Sequence, residues 1–113
     1  MKIKKSNHPN GLCTSFSFIT FRASTNDIIE KFGNPSFNEP WNYEDKVTRE
    51  WQLELEDGTM FTIYDWKECR YFDDEEKIEW HVGTDWGDNG RRKRDAIVLA
   101  SLEEAGFETT WNN

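Results

Sequence analysis

The stretch from Trp51 to Thr84 constrains the fold more than any other part of this chain. Val47, Arg49, Trp51, Leu53 and Leu55 alternate with Thr48, Glu50, Gln52 and Glu54. A period of two over that length marks a half-buried β-strand. Asp57-Gly58 follows at the centre of Glu56-Asp57-Gly58-Thr59. That pair suits a tight hairpin turn, because glycine adopts positive φ without a Cβ clash. Met60 to Trp66 reads as the returning strand. Its alternation places Met60, Thr62, Tyr64 and Trp66 on one face and Phe61, Ile63 and Asp65 on the other. After a charged loop from Lys67 to Lys77, Ile78, Trp80 and Val82 alternate with Glu79 and His81 and give a third strand of a meander.

The flanking segments complete the pattern. Residues 1 to 11 are polar, with Asn7, Pro9, Asn10 and Gly11, and read as a loose arm. Residues 12 to 113 read as one domain, the size that a single core supports. Leu12 to Phe21 forms a first strand, with Phe16 and Phe18 on one face and Ile19 and Phe21 on the other. Apolar groups on both faces suggest a strand covered on both sides. Ser24 with Asp27, or Thr25, caps a short helix that Gly33 closes and Pro35 keeps from resuming. Residues 34 to 46 are a long loop containing Phe37, Trp41 and Tyr43. Arg91 to Ala105 is the one long helix, with Ile97, Leu99, Ala100, Leu102 and Ala105 as its apolar surface and Gly106 as its end. Phe107 to Trp111 is an edge strand or a tail. The order predicts an α+β fold: a four- to five-stranded, mainly antiparallel sheet with one short and one long helix on one face.

Composition narrows the function. Apolar residues make up 35% of the chain and aromatics 15%, so the core is built from few, large side chains. A net charge of −8 disfavours general attraction to nucleic acid or to anionic membrane and suits a basic protein partner. The basic start, MKIKKSNHPNGL, has no apolar run after it, and no apolar segment is long enough to span a bilayer. A cytoplasmic location, in the host cell, is the expectation. Cys13 and Cys69 lack CxxC spacing and read as two free core thiols. No motif asks for a cofactor or a metal.

Four constellations are candidates for chemistry. Arg91-Arg92-Lys93-Arg94 opens the long helix, where the macrodipole is positive, so a bound anion such as a nucleotide phosphate would relieve the repulsion. The plain alternative is a solvated charge run offset by Asp85, Asp88 and Asp95. Trp41, Tyr43, Tyr64, Trp66, Trp80 and Trp86 form an aromatic set, part core, part candidate anchors for a protein or stacking groups for a base. His81 with Glu79 and Asp65 could approach on adjacent strands as an acid–base pair or a metal site, the basis of a small metal-dependent hydrolase. Glu50, Glu54, Glu56 and Asp57 on the meander, with Asp73, Asp74, Glu75 and Glu76 in the next loop, could align carboxylates in rows that imitate nucleic-acid phosphates.

Several segments resemble a group of small bacteriophage proteins. They are Lys31-Phe32-Gly33-Asn34-Pro35, Glu50-Trp51, Glu56-Asp57-Gly58-Thr59 followed by Thr62-Ile63-Tyr64-Asp65-Trp66-Lys67, and Glu79-Trp80-His81-Val82-Gly83. The group shares an FG-x-P helix end, a DGT…TIYDWK hairpin strand and an EWHIGG-like strand. Here Val82 replaces Ile, and Thr84 stands where a second Gly would be expected. The resemblance implies a phage accessory protein, a class in which many members bind and neutralise host machinery or defence systems. It transfers no catalytic residue. The leading expectation is therefore a non-enzymatic inhibitor of a host protein, a nucleic-acid-binding defence component among the candidates, acting through an acidic surface with aromatic anchors. The alternative is a nucleotide-sequestering protein using Arg91 to Arg94, Tyr64, Trp66, Trp86 and His81. A homo-oligomer is left open.

The hairpin reading has a direct test. Gly58→Val would force a β-branched residue into positive φ, a strain of about 1–3 kcal/mol. The melting temperature is expected to fall accordingly, and an unchanged value would speak against the turn.

Overall fold

Alternation in the central strands sorts side chains onto two faces, and the architecture follows from what covers each. The computed structural model describes residues 1–6, 14–85 and 90–112, with only the backbone of Arg91. The described strands are β1 (Ile3–Lys5), β2 (Ser15–Ser24), β3 (Phe37–Asn38), β4 (Arg49–Leu55), β5 (Met60–Asp65), β6 (Lys77–Thr84) and β7 (Thr109–Trp111); the helices are α1 (Thr25–Phe32) and α2 (Arg91–Glu104). They form an α+β fold whose seven-stranded sheet runs β1-β4-β5-β6-β2-β7, with β3 also on β4. Every described pairing is antiparallel.

The sheet has more strands than the four or five expected, because β1 and β3 are too short to show a period. Both lie along the outer edge of β4. β1 pairs with Leu53 to Leu55, and β3 pairs with Arg49 and Glu50. Between them, the Ser6 amide donates to the Gln52 carbonyl (2.9 Å), and Ser36 Oγ accepts from the Gln52 amide (3.0 Å). Residues 3–5, expected within a loose arm, are thus a strand. Together the two segments cover an edge that would otherwise invite pairing with another chain.

The meander forms as the alternation predicts. Leu55 to Gly58 closes a turn through the Gly58 amide and the Leu55 carbonyl (3.0 Å), and Gly58 sits at φ 89°. Asp57 Oδ1 accepts from the Thr59 amide at 2.9 Å and holds the turn. Ser24 and Asp27 form the expected capping box on α1, bonding each other's backbone amides at 3.0 Å. Gly33, at φ 86°, ends α1 and offers its carbonyl to Trp51 Nε1 at 2.9 Å.

One face of the sheet is the core. Across it the register aligns Trp51, Ile63, Val82, Ile19 and Trp111 in one row. Ile28 of α1 and Val98 and Leu102 of α2 bury in the same cluster, so both helices lie over this face. Val98 replaces Ala100 in the expected helix stripe; Ala100 is exposed. Trp51 and Trp80 are fully buried and meet edge-on at 5.3 Å between centroids. Trp80 Nε1 donates to the Ala23 carbonyl at 2.9 Å, so the indole's polar atom is satisfied inside the core.

Two charged residues also enter this face. Asp65, at the end of β5, accepts from the Thr48 amide (2.8 Å), Thr48 Oγ1 (2.6 Å) and the Arg49 amide (2.9 Å). Arg49 is buried with its guanidinium 4.2 Å from the centroid of the Phe72 ring. Its Nη2 donates to the Phe72 carbonyl (3.1 Å) and to Asp74 Oδ1 (3.2 Å). This pair ties the entry of β4 to β5 and to the charged loop. Cys69 lies in that loop as an exposed free thiol at φ 56°, rather than in the core as expected, and Cys13 lies outside the described residues.

Asp65→Ala would strand two backbone amides and a hydroxyl away from water. Each orphaned buried donor costs about 1–3 kcal/mol, so a loss of at least 3 kcal/mol is expected in urea denaturation. A loss below 0.5 kcal/mol, the scale of an ordinary surface substitution, would show that the carboxylate does not pin this corner.

Candidate functional site

The second face of the sheet carries no helix among the described residues, and here the chain places groups a core would not hold. The even-numbered residues of β4, β5 and β2 and the odd-numbered residues of β6 point to it. A single row crosses six strands: Phe37, Glu50, Tyr64, His81, Thr20 and Thr110. Beside it runs Gln52, Thr62, Gly83 and Phe16. Gly83 is small for a reason: a Cβ there would lie 2.6 Å from Thr62 Oγ1 and 2.8 Å from Thr14 Oγ1. The two hydroxyls bond each other at 2.9 Å, and Thr14 fills the space above the glycine.

A bulge in β2 shapes the face further. Phe16 opposes Gly83 and Ile19 opposes Val82, so Ser17 and Phe18 are extra. Ser17 Oγ turns inward, donating to the Val82 carbonyl (2.7 Å) and accepting from the Ile19 amide (3.3 Å). Phe18 is left at φ 68°, a conformation bulky residues rarely adopt. Its ring is 53% exposed and sits 5.0 Å from Phe16, which lies 4.7 Å from the His81 ring. Bulges of this kind re-aim a side chain, and strained backbone tends to persist where function requires it.

Further along, Tyr64 stands between His81 (5.9 Å) and Trp66 (6.2 Å, edge-on). Trp66 and Phe37 are each 38% exposed, so rings at this end of the face meet water, and Trp41, 69% exposed, lies in the loop that follows β3. The loop bearing Trp41 and Tyr43 returns to this end of the face. The Lys67 amide donates to the Lys46 carbonyl (2.8 Å), and Lys46 Nζ and Lys67 Nζ stand 6.0 and 5.4 Å from the Trp66 ring.

Electrostatics single out Glu50. It is half-buried between Phe37 and Tyr64, and among the described residues no cation forms an ion pair with it. Burial pushes its carboxyl above the ordinary range, against a hydrogen bond from Gln52. Burial, then the Glu50 charge, raises the Tyr64 phenol. Burial lowers the His81 imidazole, with Glu79 and Glu68 pulling it back up. Burial thus works against the charged form of both the Glu50 carboxyl and the His81 imidazole.

The remaining candidates separate. Asp65 is not with His81: Asp65 opposes Trp80 and Tyr64 opposes His81, so alternation sends Asp65 into the core. His81 Nε2 pairs with Glu79 Oε1 at 3.7 Å, and no group of His, Cys, Asp and Glu among the described residues could hold a metal. The metal-hydrolase reading loses its site. In the basic run, Arg92 and Lys93 are exposed, and Arg94 Nη2 donates to the Asp85 carbonyl (3.1 Å) beyond the end of β6. Since α2 packs on the core face, the structure does not bring this run to Tyr64 and Trp66. The side chain of Arg91, and Trp86 and Asp88, lie outside the described residues.

The carboxylates do not form rows either. Glu54 pairs with Lys4 Nζ (3.4 Å), Glu56 accepts from the Lys2 amide (2.6 Å), and Asp57 holds its own turn. Asp73 caps the Glu75 and Glu76 amides, Asp74 pairs with Arg49, Glu76 pairs with Arg70, and Glu75 is exposed. The first group lies at the Leu55 end and the second beside Arg49, at opposite ends of a strand roughly 20 Å long. Strand parity is the sequence signal that groups Glu50 with Tyr64 and His81; the two-residue strand of Phe37 and the bulge at Phe18 leave no such signal.

No family model, curated protein or solved structure matches the chain.

Glu50→Gln tests the electrostatics. A carboxyl raised on folding binds more protons folded than unfolded, so wild-type stability falls as pH climbs from the ordinary carboxyl range through the raised value. Removing the charge should stabilise the protein at pH 7, in the direction set by the raised carboxyl. That advantage should vanish below about pH 4, where both proteins are neutral at this position. A variant equally or less stable at pH 7 would contradict the assignment.

Proposed function

We propose that this chain is a non-enzymatic, phage-type accessory protein that binds and inhibits a host factor, a component of a defence system, through the open face of its sheet. The observation carrying this reading is the strained bulge that holds Phe18 outward against Phe16 in continuity with His81, Tyr64 and Trp66. Exposed aromatics grouped on a rigid sheet are typical energetic anchors of a protein interface. The resemblance to small phage proteins supports the biological setting. The net charge of −8 favours a basic partner. Aromatic anchors carry more of this reading than the acidic rows, whose carboxylates are divided and engaged in local turns and pairs.

The test is affinity capture from bacterial lysate with the wild-type chain and with Phe18→Ser/Trp66→Ala, each shown by circular dichroism to be folded. A host protein captured by the wild type should be lost from the variant, since truncating anchors of this kind typically removes about 2 kcal/mol or more each. Raising salt should slow its association. Equal capture by both proteins, or no specific capture, would overturn the reading.

A further inference from the structure

Glu50 on the open face asks for a counter-ion. Its strand neighbours on either side are Phe37 and Tyr64, with Trp66 edge-on to the tyrosine, and Gln52, next on the same face, gives it a neutral hydrogen bond. None of these supplies positive charge, and the described ion pairs leave Glu50 out. A half-buried carboxylate among rings is unfavourable in the free protein unless a partner compensates it. We propose that this position receives the guanidinium of an arginine side chain from the bound partner, with the Glu50 carboxylate as its counter-ion and the Phe37, Tyr64 and Trp66 rings as its flanks. The inference rests on the binding role of the open face and names the chemistry of what docks there.

Four considerations favour an arginine over other occupants. The Trp66 ring already attracts cations, since the Lys46 and Lys67 ammonium groups stand near it. A guanidinium is planar, weakly hydrated and can donate two parallel hydrogen bonds to one carboxylate while stacking on a ring. An ammonium is drawn to a ring face but lacks that planar fork. An anionic ligand would meet the Glu50 charge and a net charge of −8. The site also lies on an open sheet, where a side chain delivered by a larger surface fits better than a free small molecule. The carboxylate that destabilises the free chain is then the one that selects the partner, a trade of stability for binding.

The probe is a short peptide, acetyl-Gly-Gly-Arg-Gly-Gly-amide, titrated into isotope-labelled protein by NMR. Its controls are the same peptide with citrulline, which keeps the shape without the charge, and with lysine. Saturable shifts are expected at Glu50, Tyr64 and the Trp66 indole with the arginine peptide, weaker shifts with lysine and none with citrulline. Glu50→Gln, which is expected to fold at least as well as the parent, should weaken the arginine peptide about tenfold or more. Equal shifts with citrulline, unaltered affinity in Glu50→Gln, or shifts confined to another surface would each overturn the proposal. The two readings fail separately. Lysate capture that depends on Phe18 and Trp66, without arginine binding, sinks the guanidinium site and leaves the binding role. Arginine binding without capture does the reverse.

Discussion

In-register pairing of β4, β5 and β6 is the constraint on which the rest of the structure depends. Because side chains alternate strictly along a strand, a slip of one residue would exchange the two faces. Trp51, Leu53, Phe61, Ile63, Trp80 and Val82 would go to water, and Glu50, Tyr64 and His81 into the core. The hydrophobic term alone holds the register strongly, since each large side chain fully buried is worth roughly 1.5–3 kcal/mol. The corner at Asp65 adds a polar lock. Its carboxylate is satisfied only when the Thr48 and Arg49 amides stand where this register puts them. Arg49 extends the lock to Phe72 and Asp74, fixing the charged loop as well.

The same alternation that builds the core creates the candidate site. One face is filled by two helices, and the other takes a carboxylate that no cation among the described residues pairs, a histidine that burial holds below its ordinary value, and a set of rings. The two faces obey different physics. On the core side polar atoms are matched: Asp65 has its donors, and the Trp51 and Trp80 indoles have their carbonyls. On the open side Glu50 lacks a cation among the described residues, and Phe18 sits in a backbone conformation that phenylalanine disfavours. Departures from local consistency concentrated on one surface are what a binding function is expected to leave in a structure.

Much of the fold was legible in the residues. The alternation from Arg49 to Val82, the Asp57-Gly58 turn, the Ser24–Asp27 box and the Gly33 stop each became the feature they predict. The misses have physical reasons. β1 and β3 are too short for periodicity and form only because β4 offers an unpaired edge. The grouping of Asp65 with His81 considered neighbouring strands but not parity. Part of the candidate site was legible, since Tyr64, Trp66 and His81 share a face by parity. Phe37 joined them only through pairing in a two-residue strand, and Phe18 only through a bulge. The expected acidic rows dissolved because carboxylates in turns are recruited by backbone amides, as at Asp57 and Asp73.

The central claim is that the open face holds a carboxylate whose charge no cation among the described residues compensates. The most direct measurement follows the Glu50 side-chain carboxyl by carbon NMR through a pH titration, free and with the arginine peptide present. The structure requires a midpoint above the ordinary carboxylate value in the free protein, falling when the guanidinium binds. A midpoint at or below the ordinary value in the free protein would contradict the claim, because Glu50 would then already have its partner.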